Sequence, residues 1–496
     1  MQNNKRIYIT TTLPYVNAAP HIGFALEIIR ADIMARHYRE AGYEVFFNFG
    51  TDEHGKKIYD KAVSEGKDPQ AYCDEYAAKF DALKKTLDVT YDNFIRTTDP
   101  HHVLAAQEFW KRCEAAGDIY KKKYQVKYCV GCELEKQDSD LEDGKCPLHP
   151  TGTIELIDEE NYFFRFSKYQ KQLLDLYEKN PELVSPQSRM NEIRAFVERG
   201  LQDFSISRLK EKMPWGVPVP SDDSQVMYVW FDALVNYISA IGWPSCAEAS
   251  RGKSDHVCGE DSPETCEFTK WWPVVQVCGK DNLRQQSAMW QAMLMSAGIS
   301  PSKKIFVNGF IISGGQKMSK SIGNIIEPLS VVSEYGTDAL RFFLAKEVTP
   351  FEDSDVTNDR IKESYNAYLA NGLGNLVSRV MKMSEEYGAE VKGEREKVKG
   401  DKDDEVGRLI EGYQFDRAIG VIFDKATALD QTIQREQPFK VWKTEPEKAK
   451  EIVRGLVAGL YEIGTLLSPF MPATSEAILK AIKENKKPEA PLFMRK

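Results

Sequence analysis

The chain opens with a strand, a loop and a helix in immediate succession, and that order restricts its fold more than any other feature. Arg6 to Thr12 is rich in β-branched residues and runs into Leu13-Pro14, Asn17 and Pro20, the pattern of a buried strand that delivers a loop. Ile22, Leu26, Ile29 and Ile33 then recur at helical spacing, and Met34 and Tyr38 widen the apolar stripe. Gly42 ends it before a second strand, Tyr43 to Phe49. The alternation returns later. Strands are expected at Met227 to Phe231, Val274 to Val277 and Ile305 to Val307, with amphipathic helices at about Asp232 to Ile241 and Leu283 to Ala297 between them. Strands joined through helices need crossover connections, and those give a parallel α/β sheet.

At 496 residues the chain has material for about three or four folding units. Residues 116–225 differ in texture, with a Cys/His cluster, the run Tyr162-Phe163-Phe164 and several prolines, and read as an insertion that splits the sheet domain. From about 366 strand signals vanish and helical periods take over, as in Ala367 to Met383, Arg417 to Gln434 and Glu447 to Leu467, so an all-α bundle is expected there. The division is therefore 1–115, 116–225, 226–310, 311–365 and 366–496. The charged run Lys392 to Glu405 reads as a solvated linker or helix end, and no internal repeat stands out.

Composition excludes several classes. Hydrophobic residues at 42% and charged residues at 28%, with both signs mixed, argue against a disordered or fibrous chain. No stretch approaches a membrane span, and Met1 to Arg6 lacks the apolar core of a signal peptide, so a cytoplasmic protein without membrane contact is expected. A net charge of -9 speaks against non-specific coating of nucleic acid but leaves a local basic groove open. Nine cysteines, an odd number in a large chain, argue against a disulfide framework and direct attention to metal or redox spacings.

Three segments carry chemistry. Pro20-His21-Ile22-Gly23 sits where a strand gives way to a helix. Unpaired N–H groups and the helix dipole favour a phosphate there, Gly23 admits it close to the backbone, and His21 can donate to it. Gly314-Gly315-Gln316-Lys317-Met318-Ser319-Lys320-Ser321-Ile322-Gly323-Asn324 is a glycine-flanked loop whose two lysines suit a polyphosphate that gains charge on bond cleavage; it does not match a Walker A loop. Cys129-Val130-Gly131-Cys132 and Cys146-Pro147-Leu148-His149, separated by thirteen residues, make a closed set of three thiolates and one imidazole, which predicts one structural zinc. Cys246, His256, Cys258 and Cys266 form a looser cluster whose irregular spacing does not define a second metal.

The first two segments resemble the HIGH-like and KMSKS motifs of class I aminoacyl-tRNA synthetases, and the chain is similar nearly end to end to the methionyl-tRNA synthetase family. Further markers are Thr11-Thr12-Leu13-Pro14-Tyr15-Val16-Asn17, Gly50-Thr51-Asp52-Glu53-His54-Gly55, Tyr228-Val229-Trp230-Phe231-Asp232-Ala233 and Gly279-Lys280-Asp281. The resemblance implies a Rossmann-like catalytic domain split by the zinc-bearing connective insertion, a stem-contact segment around the KMSKS loop, and a helical anticodon-binding domain. The activity implied is charging of tRNA(Met) with L-methionine by way of methionyl-adenylate, with ATP and Mg2+.

Residue by residue, the resemblance assigns Leu13, Tyr15, Trp230, Ala233, Tyr237 and Gln286 to the methionine pocket, Asp52 to the substrate ammonium, and Arg208 to a group that closes on that acid. It assigns His21, Gly23, Gly279, Asp281 and Ile311 to ATP, with His21, Lys317 and Lys320 as the catalytic groups. Asn375, Arg379 and Phe439 fall at anticodon-reading positions, with Trp442 nearby as an alternative stacking ring. Two positions depart from the family pattern. Phe24 closes the HIGH-like motif in place of histidine, and Gln286 stands where a histidine usually lines the methionine site. Synthetases for leucine, valine or isoleucine usually carry a large editing insertion for which this length leaves no room, and a cysteinyl enzyme would place zinc near the first strand. A catalytically dead tRNA-binding paralogue is the rival of another class, against which Lys317, Lys320, His21 and Asp52 argue. A monomer is expected.

Overall fold

The computed structural model describes residues 5–17, 19–131, 134–136, 140–150, 152–244, 267–318, 324–390 and 404–496, with backbone alone at Tyr124, Val126, Leu134, Glu135, Ile157 and Lys317. Cys132, Lys320, the loose cluster Cys246, His256, Cys258 and Cys266, and most of the run Lys392 to Glu405 lie outside the described residues. The chain divides into two compact units. One comprises Met1–Ala19, Glu44–Ala82 and Tyr91–Val307, the other Pro20–Tyr43, Leu83–Thr90 and Asn308–Lys496.

The first unit is built on a six-stranded sheet. Its strands are β1 (Arg6–Thr11), β2 (Glu44–Thr51), β3 (Asn93–Arg96), β4 (Val184–Ser185), β5 (Val275–Gly279) and β6 (Lys304–Asn308), in the spatial order β3-β2-β1-β5-β6-β4. β1 pairs parallel with β2 and with β5, β2 parallel with β3, and β6 parallel with β4. Ile7, Tyr8, Ile9, Thr10 and Thr11 are all buried, as a parallel strand covered on both faces requires, which is why β1 reads as an unbroken apolar and β-branched run. The expected strands at the start of the chain and at β5 and β6 are present. The edge strands β3 and β4 span only 4 and 2 residues, too short to show a period.

The stretch Met227 to Phe231 corrects the sequence reading. Asp222–Met227 is a strand, but it pairs antiparallel with Ser207–Leu209 and Pro218–Val219 in a separate three-stranded sheet, and Val229–Ala233 is already helical. Every residue from Val229 to Ala233 is buried, so no polar face separates a buried helix from a buried strand. The helix expected from Asp232 to Ile241 is two short pieces, Val229–Ala233 and Asn236–Ser239. The helix expected from Leu283 to Ala297 contains a wide π-helical turn at Gln285–Met289, a feature that often marks functional positions, followed by Trp290–Ser296. Within 116–225, Leu134–Lys136, Ile119–Cys129, Ile154–Phe164 and Phe204–Ser205 form their own four-stranded sheet, while β4 from the same stretch joins the edge of the main sheet.

In the second unit, helix Ile22–Glu40 is anchored by Arg341, a fully buried side chain 2.8 Å from Asp32 Oδ2 that also donates to the Phe470, Pro469 and Leu87 carbonyls. Those acceptors leave few of its donors unmatched, which a buried guanidinium requires. The expected helical C-terminal region is present as Asn375–Tyr387, Phe415–Glu436, Pro446–Leu467 and Pro472–Glu484. Its core is aliphatic, with Val377, Val380, Ile419, Ile422, Val453 and Leu460 all buried.

Candidate active site and metal cluster

In an open parallel sheet, ligands bind beyond the carboxyl ends of the strands where the chain order reverses. Here β1 has β2 on one side and β5 on the other, so the reversal lies beside β1. Leu13 and Tyr15 follow β1, Asp52 follows β2, and Gly279 ends β5 with Asp281 in the turn Lys280–Asn282 directly after it. The main chain continues the pairing past the strands. Asp52 N–H donates to the Pro14 carbonyl at 2.9 Å and Val16 N–H to the Asp52 carbonyl at 3.3 Å, which sets Tyr15 beside the buried Asp52.

The residues after Asp52 lock its position. Glu53, fully buried, accepts from Arg96 Nε at 2.7 Å and Nη2 at 2.9 Å, from Thr51 Oγ1 at 2.6 Å and from Thr98 Oγ1 at 2.5 Å. His54 Nδ1 lies 2.6 Å from Asp232 Oδ2, and His102 Nε2 lies 2.9 Å from Asp232 Oδ1 with its Nδ1 2.9 Å from Ser239 Oγ. Burial alone would raise the Asp232 carboxyl, but the His54 charge and the hydrogen bonds from His102 and His54 outweigh it and hold the group at about 2. One carboxylate thus joins the Asp52 segment to the short helices that carry Trp230, Ala233 and Tyr237. The sequence reading used His54 and Asp232 only as markers and missed His102, whose signal is no more than the doublet His101-His102.

Of the expected pocket walls, Trp230 and Tyr237 belong to one hydrophobic core of the first unit, and Tyr15 packs against it. Tyr15 meets Trp230 edge to face at 6.2 Å and Tyr237 meets Trp290 at 6.0 Å, while Leu13, Trp230, Ala233 and Tyr237 are all buried. Gln286 donates from Nε2 to the Tyr237 hydroxyl oxygen at 2.7 Å. Arg208 donates through Nη1 to Ser205 Oγ and the Ser207 carbonyl, and its guanidinium lies over the Tyr228 ring at 4.5 Å.

In the second unit, His21 caps helix Ile22–Glu40: its Nδ1 accepts from Gly23 N–H at 3.1 Å. With Nδ1 as the acceptor, a neutral ring carries its proton on Nε2. Only glycine permits this at 23, since a Cβ there would come within 2.9 Å of His21 Cε1. Phe24, the departure from the family pattern, packs its ring on the His21 imidazole at 4.3 Å. Ile22 N–H donates to the Ile326 carbonyl at 3.0 Å, tying the helix start to the segment that leaves the lysine loop. That loop opens as a hairpin in which Ile311–Ser313 pairs antiparallel with Gln316–Lys317 across Gly314 and Gly315, both at positive φ. The Lys317 side chain and residues 319–323 are outside the described residues.

Cys129, Cys146 and His149 bring their ligand atoms within 4.8 Å of one another. A Cβ on Gly131 would stand 2.3 Å from His149 Cγ, so glycine is what lets the imidazole reach the thiols. Two buried sulfurs and an imidazole are the donor chemistry of a zinc knuckle, and Lys57 Nζ donates to the Gly131 carbonyl at its base. On helix Asn375–Tyr387, Asn375 is exposed and Arg379, one turn on, pairs with Asp430 at 2.6 Å. Phe439 is exposed, whereas Trp442 stacks on Tyr387 at 4.0 Å.

Comparison with known proteins agrees with this architecture. A family model described as tRNA synthetases class I (M) matches residues 7–154 and 137–381. The chain is 42% identical over 488 residues to a methionine–tRNA ligase of Thermosynechococcus vestitus, covering 95% of this chain and 88% of that protein. It is 38% identical over 499 residues to one of Thermotoga maritima, covering 97% and 76%. In structure it is similar to a Mycobacterium tuberculosis methionyl-tRNA synthetase in complex with methionyl-adenylate, with a TM-score of 0.85 at 34% identity over 96% of this chain and 93% of that one.

Proposed function

The chain belongs to the class I methionyl-tRNA synthetases, and on that premise we propose how its own residues divide the work. Its reaction is that of a methionine–tRNA ligase: methionine and ATP give methionyl-adenylate and pyrophosphate, and methionine then passes to the 3′ end of tRNA(Met). Asp52 holds the substrate ammonium, and Arg208 closes on that acid. Leu13, Tyr15, Trp230, Ala233 and Tyr237 wall the thioether, with Gln286 behind Tyr237. The observation that carries this reading is the placement of Leu13, Tyr15, Asp52, Gly279 and Asp281 at the carboxyl ends of three adjacent parallel strands.

Gly279 and Asp281 take the ATP ribose, Ile311 the adenine, and His21 and Gly23 the phosphates. The methionine carboxylate oxygen attacks the α-phosphorus and pyrophosphate leaves, so no protein nucleophile is needed. Catalysis rests on alignment and on charge placed where the leaving group becomes anionic, supplied by His21 Nε2–H, Lys317 and Lys320. Mg2+ on the ATP phosphates adds positive charge there when bound. The terminal ribose hydroxyl of tRNA then attacks the adenylate carbonyl and releases AMP. Residues 1–115 and 226–310 act as the catalytic domain, 116–225 as the connective insertion, 311–365 as the stem-contact segment and 366–496 as the anticodon-binding domain. Asn375 and Arg379 offer hydrogen-bonding groups to anticodon bases, and the exposed Phe439, rather than the stacked Trp442, offers a ring to stack on.

Amino-acid-dependent ATP–pyrophosphate exchange with all twenty amino acids tests the pocket. Methionine alone should support rapid exchange; faster exchange with leucine or cysteine would overturn the assignment. A structural zinc on Cys129, Cys132, Cys146 and His149 predicts one tightly held zinc per chain by metal analysis. Zinc near zero in protein never exposed to a chelator would reject it. The working form is taken to be a cytoplasmic monomer. No helix among the described residues is long and apolar enough to cross a membrane.

A further inference from the structure

Behind Tyr237 runs a line of buried amides whose polarity is set at its far end. Gln276 on β5, Gln286 in the π-helical turn, Gln291 in helix Trp290–Ser296 and Ser302 before β6 are each no more than 6% exposed. Ser302 N–H donates to Gln291 Oε1 at 2.9 Å, and a backbone N–H can only donate, so that atom of Gln291 is oxygen. Gln291 Nε2 then faces the other way and donates to the Gln286 carbonyl at 2.8 Å and to Ser302 Oγ at 3.0 Å. With its oxygen receiving a proton, Ser302 sends its own to Gln276 Oε1 at 2.6 Å. Gln276 Nε2 consequently donates to Gln286 Oε1 at 2.8 Å, and Gln286 Nε2 to the Tyr237 oxygen at 2.7 Å. Reversing the two middle amides would leave the Ser302 hydroxyl proton buried without an acceptor among the described residues, a penalty that disfavours the reversed setting.

We propose that Gln276, Gln291 and Ser302 are positioning residues for amino-acid specificity: through Gln286 they fix the Tyr237 hydroxyl as a donor turned toward the methionine sulfur. The inference rests on the reading that Tyr237 lines the methionine pocket. A thioether sulfur accepts a hydrogen bond weakly, whereas the methylene of norleucine neither accepts nor donates one, so the direction of one hydroxyl proton separates two side chains of nearly equal shape. If Gln286 turned its oxygen to Tyr237, the proton would go to Gln286 and the pocket would see only a wall. An amide chain, unlike the histidine usual at 286 in the family, keeps its polarity at every physiological pH.

The test reverses that polarity from a distance. In Gln276→Glu a neutral carboxyl reproduces the native pattern, accepting from Ser302 and donating to Gln286. An ionised carboxylate accepts on both sides, turns the Gln286 amide and draws the Tyr237 proton away from substrate. The side chains bonded to Gln276 are Ser302 and Gln286 and its register partner on β1 is Thr10, none of which titrates in the range used. Burial of the introduced acid moves its titration into that range. The methionine-to-norleucine ratio of kcat/KM, measured by pyrophosphate exchange at pH 6.5 and 9, should be pH-independent in the wild type. In Gln276→Glu it should stay near the wild-type value at pH 6.5 and fall about 2- to 10-fold at pH 9, the net worth of one hydrogen bond. Gln286→Glu should show the same pH signature one link closer to substrate and serves if Gln276→Glu does not fold. A ratio that ignores pH in both variants overturns the relay, whether or not its absolute value drops. Tyr237→Phe separates the two failures. If it lowers the ratio while both glutamate variants stay flat, the pocket reading stands and the relay is wrong; if it leaves the ratio unchanged, Tyr237 does not sense sulfur and both fall.

Discussion

Lys320→Ala should slow single-turnover formation of methionyl-adenylate by about 30- to 1000-fold, or about 2 to 4 kcal/mol of transition-state stabilisation, while methionine binds with nearly its original affinity. The asymmetry follows from where the charge appears. In ATP the negative charge is spread over the triphosphate, and as the α–β bridging bond breaks it concentrates on departing pyrophosphate, so an ammonium placed there acts mainly on the transition state. The Gly314-Gly315 turn sets Lys317 on the returning strand of a short hairpin, and the bond from Ile22 N–H to the Ile326 carbonyl ties the loop exit to the helix capped by His21. The exit of the loop and the helix start at His21 are thus linked by main-chain hydrogen bonding within the second unit. Quenched-flow measurement of adenylate at saturating methionine, with binding followed separately by tryptophan fluorescence, distinguishes the two effects. An unchanged rate, or a loss confined to methionine affinity, would remove Lys320 from the chemistry.

What could be read from the residues alone follows a physical division. Local signals were strong where one period served one environment. The long amphipathic helices Phe415–Glu436 and Pro446–Leu467 each turn one apolar face to a core and show its period, while β1, buried on both faces, was legible as a short β-branched run that ends in a proline-containing loop. The signal failed at Met227 to Phe231 because burial on all sides removes the polar face that reports the period. The chemical motifs were legible because lysine-rich glycine loops and paired Cys spacings are rare by chance. The buried polar partners around Asp232 and Tyr237 were not. His54 and His102 meet Asp232 across 178 and 130 residues; Gln276 and Gln291 interrupt apolar stretches as single amides, while Gln286 sits beside Gln285 and Ser287 and Ser302 lies in a polar loop sequence. No periodicity links such partners; only the fold decides that each buried donor finds its acceptor.

Asp232→Ala should lower the free energy of unfolding at pH 7 by about 3 to 5 kcal/mol, because it leaves two imidazoles buried against an apolar gap in place of a shared carboxylate. Asp232 is fully buried, and it holds His54 at 2.6 Å and His102 at 2.9 Å. Its folded carboxyl titrates at about 2, against the ordinary 3.9 or so. A carboxyl depressed on folding contributes stability that is present above its unfolded value and lost only as pH falls toward the folded one, so the whole contribution is in force at neutral pH. Asp232→Asn should be milder, since an amide accepts from one ring and donates to the other once that ring adopts the opposite tautomer. The same carboxylate connects the segment carrying Asp52 to the helix carrying Trp230 and Ala233, so both variants should also raise KM for methionine more than they lower kcat. Urea unfolding followed by tryptophan fluorescence gives the first quantity and pyrophosphate exchange the second. A loss below about 1 kcal/mol for Asp232→Ala would mean that the two histidines find other partners, and an unchanged KM alongside a full loss of stability would confine the triad to holding the fold.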